Sequence, residues 1–343
     1  MFVIFGAMIV IALYKLRIHK KGLDERYLSI PYTSSIKGIF ILFVFLSHAR
    51  SYTHFTFVGD TATIQVMDYL GQLMVALFLF YSGYGVYESI KRKGQKYIDQ
   101  FPKNRIAKTF VDFSFAIVLF YILGECLGNH HTLSQFLLSL TGWISIGNSN
   151  WYMFAIFMMY ILSYVCLKLF SKHRFAGMIT MSGATLGYIY VLSLLQPARF
   201  SNTVLCYLAG MWYSYFKEDI DDFLNQHISL YYILLAFVFF VYLYIYPMKS
   251  QNIMMHNIVS VVFCIVIVLA SMKISIQSQV FEWCGKHLFW IYILQRIPMN
   301  ILKNIGIHET MPYVFIFVSF GLTLIMAYYA QIWMTKVKQY IFH

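Results

Sequence analysis

Apolar runs of membrane-crossing length recur along almost the whole chain, and they constrain the fold more than any other feature. We read eleven, at about 2–16, 36–56, 68–90, 109–127, 151–170, 175–195, 200–216, 229–247, 256–273, 287–304 and 312–335. A spanning helix needs about 20 mainly apolar residues. In lipid every backbone polar group must be satisfied internally, which leaves helices or closed barrels. The period-2 alternation of a membrane barrel is absent. Only 12% of the 343 residues are charged, against about 25% in a soluble domain. The expected fold is therefore all-α, a polytopic membrane helical bundle.

The formal charge of +12 raises the question of nucleic acid, but the basic residues gather between the apolar runs. With the N-terminus outside, all but Arg50, Arg199, Lys249, Arg296 and Lys303 fall on cytoplasmic segments. Such a bias also puts the C-terminus in the cytoplasm, so no nucleic-acid partner is expected. The first run lacks a preceding positive region and a small-residue cleavage site, and reads as an uncleaved anchor. Residues 1–31 are thus expected to form an N-terminal anchor helix and a cytoplasmic linker, and residues 32–343 the main transmembrane domain. No internal repeat is visible. The segment at about 128–150 is polar yet dotted with apolar residues, which suggests a re-entrant or interfacial piece. The five cysteines show no CxxC spacing, so neither a disulfide framework nor a zinc site is indicated.

The second run carries Lys37 at its start and His48 eleven residues on. Eleven steps make about three turns, so the two share one face about 16 Å apart along the axis. An imidazole near mid-membrane is costly and is by default a functional candidate; it can take and return a proton near neutrality. The bland alternative is a histidine that bonds a buried carbonyl. Arg50 lies about 200° around the helix from His48 and needs another partner, for which Glu125 in the fourth run is a candidate. In the third run Ser82, Gly83 and Gly85 suit close helix packing. Arg105 and Lys108 stand three apart at the start of a helix, so both can face one phosphate-bearing ligand, or both are ordinary positive-inside charge. Asn150, Trp151 and Tyr152 open the fifth run. They suit an aromatic belt or stacking on a pyranose ring. Arg296, beside Gln295 and followed by Pro298, is the other intramembrane charge. No GxSxG, HExxH, P-loop or acidic metal cluster is found, and no metal site is expected.

Taken in order, these residues resemble the acyltransferase 3 family of membrane O-acyltransferases over about residues 32–335. The resemblance rests on Lys37 and His48 in an SxKGI…H setting, and on FLFYSGY with Ser82, Gly83 and Tyr84. It continues through KNRIAK with Arg105 and Lys108, then NWYM, and finally the late WCGKHLFWIYILQRIP segment. It implies a ten-helix acyltransferase 3 core, to which the first run is one extra N-terminal helix. The implied activity moves an acyl group, usually acetyl, from cytosolic acyl-CoA to a hydroxyl of an extracytoplasmic bacterial glycan such as capsule, exopolysaccharide or cell-wall polymer. Under it His48 is the catalytic candidate, and Lys37, Arg105 and Lys108 would hold acetyl-CoA. Arg50, Tyr84, Glu125, Trp151, Tyr152 and Arg296 would bind substrate. The implied setting is a bacterial plasma membrane, with polysaccharide-assembly proteins as conceivable partners.

Four positions depart from the family pattern. Lys37 stands where arginine is commoner, which keeps the charge and loses bidentate phosphate geometry. Asn104 and Lys108 stand where arginines are usual, and Gln295 where many members have histidine. No appended hydrolase-like domain is expected. The competing class is a polytopic transporter of a glycan or lipid-linked sugar, which would form no bonds; paired repeats with matching broken helices are not seen.

Overall fold

The computed structural model describes residues 1–342. In chain order the elements are α1 (Phe2–Lys15), β1 (Leu16–Ile18), α2 (Ile30–Ala49), α3 (Val58–Leu70), α4 (Leu73–Lys93) and α5 (Gln95–Phe101). A π-helical turn, Pro102–Ala107, leads into α6 (Lys108–Cys126), α7 (Leu133–Leu140), α8 (Trp151–Leu169), α9 (Arg174–Leu195), α10 (Leu205–Gln226) and α11 (Ile228–Ile245). The chain ends with α12 (Ile253–Ser271), β2 (Ile274–Ile276), α13 (Gln279–Lys286), α14 (Leu288–Leu294), α15 (Arg296–Asn304), α16 (Ile307–Thr310) and α17 (Pro312–Phe342).

The protein is an all-α polytopic membrane bundle. Among the described residues, eight helical segments are long and apolar enough to cross a bilayer. Three of the eleven expected runs fall outside that set, each for a local reason. Helix α1 has only 14 residues. The second half of α10 carries Lys217, Glu218, Asp219, Asp221 and Asp222, which shortens its apolar part. The run at 287–304 is broken at Gln295 into α14 and α15. Pro298 cannot donate to the carbonyl of Leu294, and its ring crowds that carbonyl. The run expected at 68–90 also begins inside α3; Gly71, at φ +49°, turns the corner into α4.

Two seams set the core. A Cβ at Gly38 of α2 would lie 1.8 Å from the carbonyl oxygen of Phe281 in α13, and one at Gly285 would lie 1.9 Å from that of Ser34. Gly83 of α4 and Gly210 of α10 meet the carbonyls of Tyr207 and Phe80 in the same way, at 1.9 and 2.0 Å. Only glycine lets helix backbones approach so closely. Helix α11 is apolar all round and buries only Tyr231 and Tyr242. Its outward side chains, Phe237 and Phe240 among them, are exposed, as a lipid-facing helix requires. Strand β1 pairs antiparallel with β2, Leu16 opposite Ile276 and Ile18 opposite Ile274, and so ties the end of α1 to the α12–α13 connection.

The segment 141–150 turns inward. Ile146, Asn148, Ser149 and Asn150 are all buried. Its irregular backbone is held by side chains: Asn150 Nδ2 donates to the Gly142 carbonyl at 2.9 Å, and Ile146 N–H to Asn148 Oδ1 at 3.1 Å. The chain therefore enters α8 deep in the bundle rather than at its rim.

The seams yield a stability test. Gly38→Val is expected to lower the stability of the detergent-solubilised protein by about 3 kcal/mol or more, the upper range for overpacking. Gly85→Ala, inside α4 where a Cβ meets nothing within 4 Å, is expected to unfold at or slightly above the wild-type temperature. Equal thermal transitions for the two variants would show that the α2–α13 contact is not as close as described.

Candidate functional site

A cavity of about 440 Å³ opens between α2, α4, α13 and the start of α14. Lys37, Arg92, Arg105 and Lys286 line it, with Glu88 as its one carboxylate. Arg105 comes from the π-helical turn and is steadied by Tyr97, whose hydroxyl accepts from Nε at 2.9 Å. Lys37 forms no ion pair among the described residues. A concave surface with this balance of charge suits phosphate groups. Tyr84, Gly85 and Tyr152 also face it, and the missing side chain at Gly85 leaves the wall open.

A second chamber of about 240 Å³ continues the first, since Ser82, Tyr152, Leu288 and Phe289 line both. Thr109, Asp112 and Tyr292 close its far side. The Tyr292 ring centroid lies 5.3 Å from that of Tyr152 and 6.4 Å from that of His48. His48 therefore sits one side chain beyond the chamber and lines neither cavity itself. Gln295 and Arg296 lie against it.

Polar atoms without partners concentrate at this point. His48 Nδ1, Tyr292 Oη, Gln295 Oε1, Arg296 Nε and Ser149 Oγ are all buried and unbonded. Gln295 spends its amide on the Tyr292 carbonyl at 2.9 Å. An unsatisfied buried polar atom costs on the order of 1–3 kcal/mol. A cluster of five on α2, α14, α15 and the inward segment marks a place where a ligand would supply the missing bonds.

Beyond Arg296, Tyr52 donates its hydroxyl to Asn300 Oδ1 at 2.8 Å. Asn300 belongs to a third cavity, of about 550 Å³, on the opposite side of the His48 cluster. Asn129, His131, Gly147, Lys303 and Asn304 are also in its wall. Between the two ends lie Tyr292, His48, Arg296 and Asn300.

Several expected groupings change. Arg105 and Lys108 do not share a cavity. The wider π-helical turn rotates the chain less per residue than the 100° of an α-helix, and the Lys108 N–H bonds the carbonyl of Lys103, five residues back. Arg105 faces Lys37, whereas Lys108 faces a groove beside α17. Arg50 does not pair with Glu125. It bonds Asp68 of α3 and, at 3.3 Å, the Ile64 carbonyl. Glu125 is exposed and bonds His130 at 2.7 Å. Arg50 was within reach of α3 because Gly71 folds that helix back over the end of α2. Trp151 is partly buried beside Tyr152, and Tyr152 is 7% exposed and points into the bundle, because the inward segment delivers the start of α8 to the interior. Gly83 is a packing residue.

The residues missed from the sequence are Tyr292, Ser149 and Asp112. Tyr292 lies four before Arg296 and so shares its face, and Asp112 is a carboxylate inside an apolar run; both signals were readable. Ser149 had none. No group of three or more histidine, cysteine, aspartate or glutamate side chains placed to hold a metal occurs among the described residues.

The family model for an acyltransferase domain matches residues 30–331. The chain belongs to this acyltransferase family. Curated proteins and solved structures give no match. The protein is accordingly a multi-pass membrane acyltransferase.

The continuity of the two chambers can be checked by labelling. In a Cys126→Ser background, which removes the exposed native thiol, Ser82→Cys is expected to react with a hydrophilic maleimide about tenfold faster than Ser163→Cys, as accessibility dictates. Ser163 is fully buried. Equal rates would mean that the chamber is closed to solvent.

Proposed function

We propose that the protein is an O-acyltransferase that moves an acyl group, acetyl in our reading, from cytosolic acyl-CoA to a hydroxyl of an extracytoplasmic bacterial glycan. One observation carries this reading: a cavity rich in cations continues through a narrow chamber to within one ring of an unpartnered imidazole. Lys37 and Arg105 would hold the coenzyme's phosphates, Arg105 through the planar fork that Tyr97 fixes. The thioester arm would follow the shared wall of Ser82 and Tyr152 toward Tyr292. The rise of about 16 Å from Lys37 to His48 along α2 matches the reach such an arm needs.

His48 would act as general base. Its neutral ring accepts the proton of the acceptor hydroxyl while that oxygen attacks the thioester carbonyl. The tetrahedral intermediate then expels the coenzyme thiolate, which takes the proton back from the imidazolium. Arg296 and the Tyr292 hydroxyl would bond the developing oxyanion. The acceptor would arrive through the cavity of Asn129, His131, Asn300 and Lys303, which offers donors and acceptors suited to sugar hydroxyls. Charge bias along the chain supports the orientation, with the Lys37 end cytoplasmic and the C-terminus on the same side.

The protein reconstituted with acetyl-CoA and its host's surface glycan is expected to produce an O-acetylated glycan detectable by mass spectrometry. His48→Ala should lower that transfer by about 10²- to 10⁴-fold, the range for a general base, with membrane insertion intact. Transfer at the wild-type rate in that variant would remove His48 from the mechanism. Arg105→Ala should raise the acetyl-CoA concentration needed for half-maximal rate by about tenfold or more, as expected for a lost hydrogen bond to a charged group. An unchanged requirement would place the phosphates elsewhere.

A further inference from the structure

The cavity of Asn300 and Lys303, which the proposed reaction gives to the acceptor, has an uneven supply of donors and acceptors. Helix α15 carries Arg296, Asn300 and Lys303 four and then three residues apart, and so on one face. About 10.5 Å of rise separates the two cations. Tyr52, just past the end of α2, gathers all three. Its hydroxyl donates to Asn300 Oδ1 at 2.8 Å, and Arg296 bonds the same hydroxyl. Lys303 Nζ stands 6.0 Å over its ring. A guanidinium can only donate, so the Tyr52 oxygen accepts from Arg296 and its single proton goes to Asn300 Oδ1. That uses the oxygen of the carboxamide. Its Nδ2 is left as a donor on the cavity wall, where a Cβ at Gly147 would meet it at 3.4 Å.

No carboxylate answers these donors. The cavity wall contains none. Asp68, Glu125 and Glu309 are engaged with Arg50, His130 and His308. Neither Arg296 nor Lys303 forms an ion pair among the described residues. An isolated surface lysine would say little. Here a ring and a hydroxyl hold the lysine in line with a half-buried guanidinium that leads on to His48. A neutral sugar brings a proton with every hydroxyl and needs acceptors as well as donors. Two cations with an amide donor between them suit an anionic group instead.

We propose that the acceptor is an acidic glycan, with a carboxylate or phosphodiester close to the hydroxyl that receives the acyl group. Lys303 and Asn300 hold that anion, and Arg296, with donors to spare, draws it toward His48. The inference rests on the acyl transfer proposed above and adds to it the charge of the acceptor.

The full chain, reconstituted with radiolabelled acetyl-CoA and its host's surface glycan split by anion exchange into acidic and neutral fractions, tests this. Label is expected in the acidic fraction. Lys303→Gln should raise the KM for that fraction about tenfold, as for a lost hydrogen bond to a charged group. The KM for acetyl-CoA should stay as in wild type, and Lys303→Arg should restore the acceptor's KM. Added salt should raise that KM in wild type, since the attraction is screened. Carbodiimide-coupled borohydride reduction removes carboxylates, and hydrogen fluoride cuts phosphodiesters. One of the two treatments should abolish acceptance by the acidic fraction, and the one that does so identifies the anion. Label entering the neutral fraction as efficiently as the acidic one would overturn the proposal and leave acyl transfer standing. So would an acceptor KM unmoved in Lys303→Gln. Label in neither fraction would overturn the acyl-transfer reading along with it.

Discussion

The contact on which the rest depends is the crossing of α2 over α13, where backbone meets backbone at Gly38 and Gly285. Because no side chain separates the helices there, the whole face of α2 is laid against the α13–α15 arm. That contact sets Lys37 across from Lys286 in one cavity. Farther along the same helix it sets His48 against Tyr292, Gln295 and Arg296. The parallel crossing of α4 over α10 fixes Ser82 and Tyr84 on the remaining wall. Helices held by glycine contacts cannot slide without steric collision, so the polar groups they carry are positioned before any ligand arrives.

That positioning has an energetic cost, visible in the unbonded atoms around His48. A buried polar atom left unbonded costs on the order of 1–3 kcal/mol. Such groups persist where the surrounding structure over-determines them. Here the enclosing parts are the broken helix at Gln295 and the inward segment ending at Asn150, both irregular stretches buried in protein rather than exposed to lipid, as the membrane interior demands. The break starts a new helix, α15, whose Arg296 and Asn300 lead away toward the opposite cavity.

Much of this was legible in the residues. The apolar runs fixed an all-α membrane bundle, and the eleven-residue spacing of Lys37 and His48 placed both on one face of a helix that proved continuous. Spacing failed where the helix was not α. Arg105 and Lys108 read as neighbours at 100° per residue, but the π-helical turn parts them, and nothing in PKNRIA advertises that wider turn. Pairing also failed. Arg50 and Glu125 share comparable depth in the sequence pattern, whereas Asp68 could only be chosen once Gly71 had folded α3 back. Burial of Tyr152 depended on a segment whose inward course comes from side-chain-to-backbone bonds at Asn148 and Asn150, which carry no periodic signature.

The separation of the cavities is itself a physical requirement. An open aqueous passage between two sides of a membrane would leak ions, so a site that serves both sides must be interrupted. Tyr152, Tyr292 and the His48 cluster form that interruption, with ring centroids 5.3 and 6.4 Å apart and no cavity shared between the two ends. For the proposed transfer, a thioester arm filling the narrow chamber would keep the plug sealed while presenting only its reactive carbon. An acyl group is then the smallest unit that crosses, and the coenzyme never has to. Under that proposal a base one ring beyond the chamber would touch the acceptor's side, while the donor would be met through the plug rather than through water.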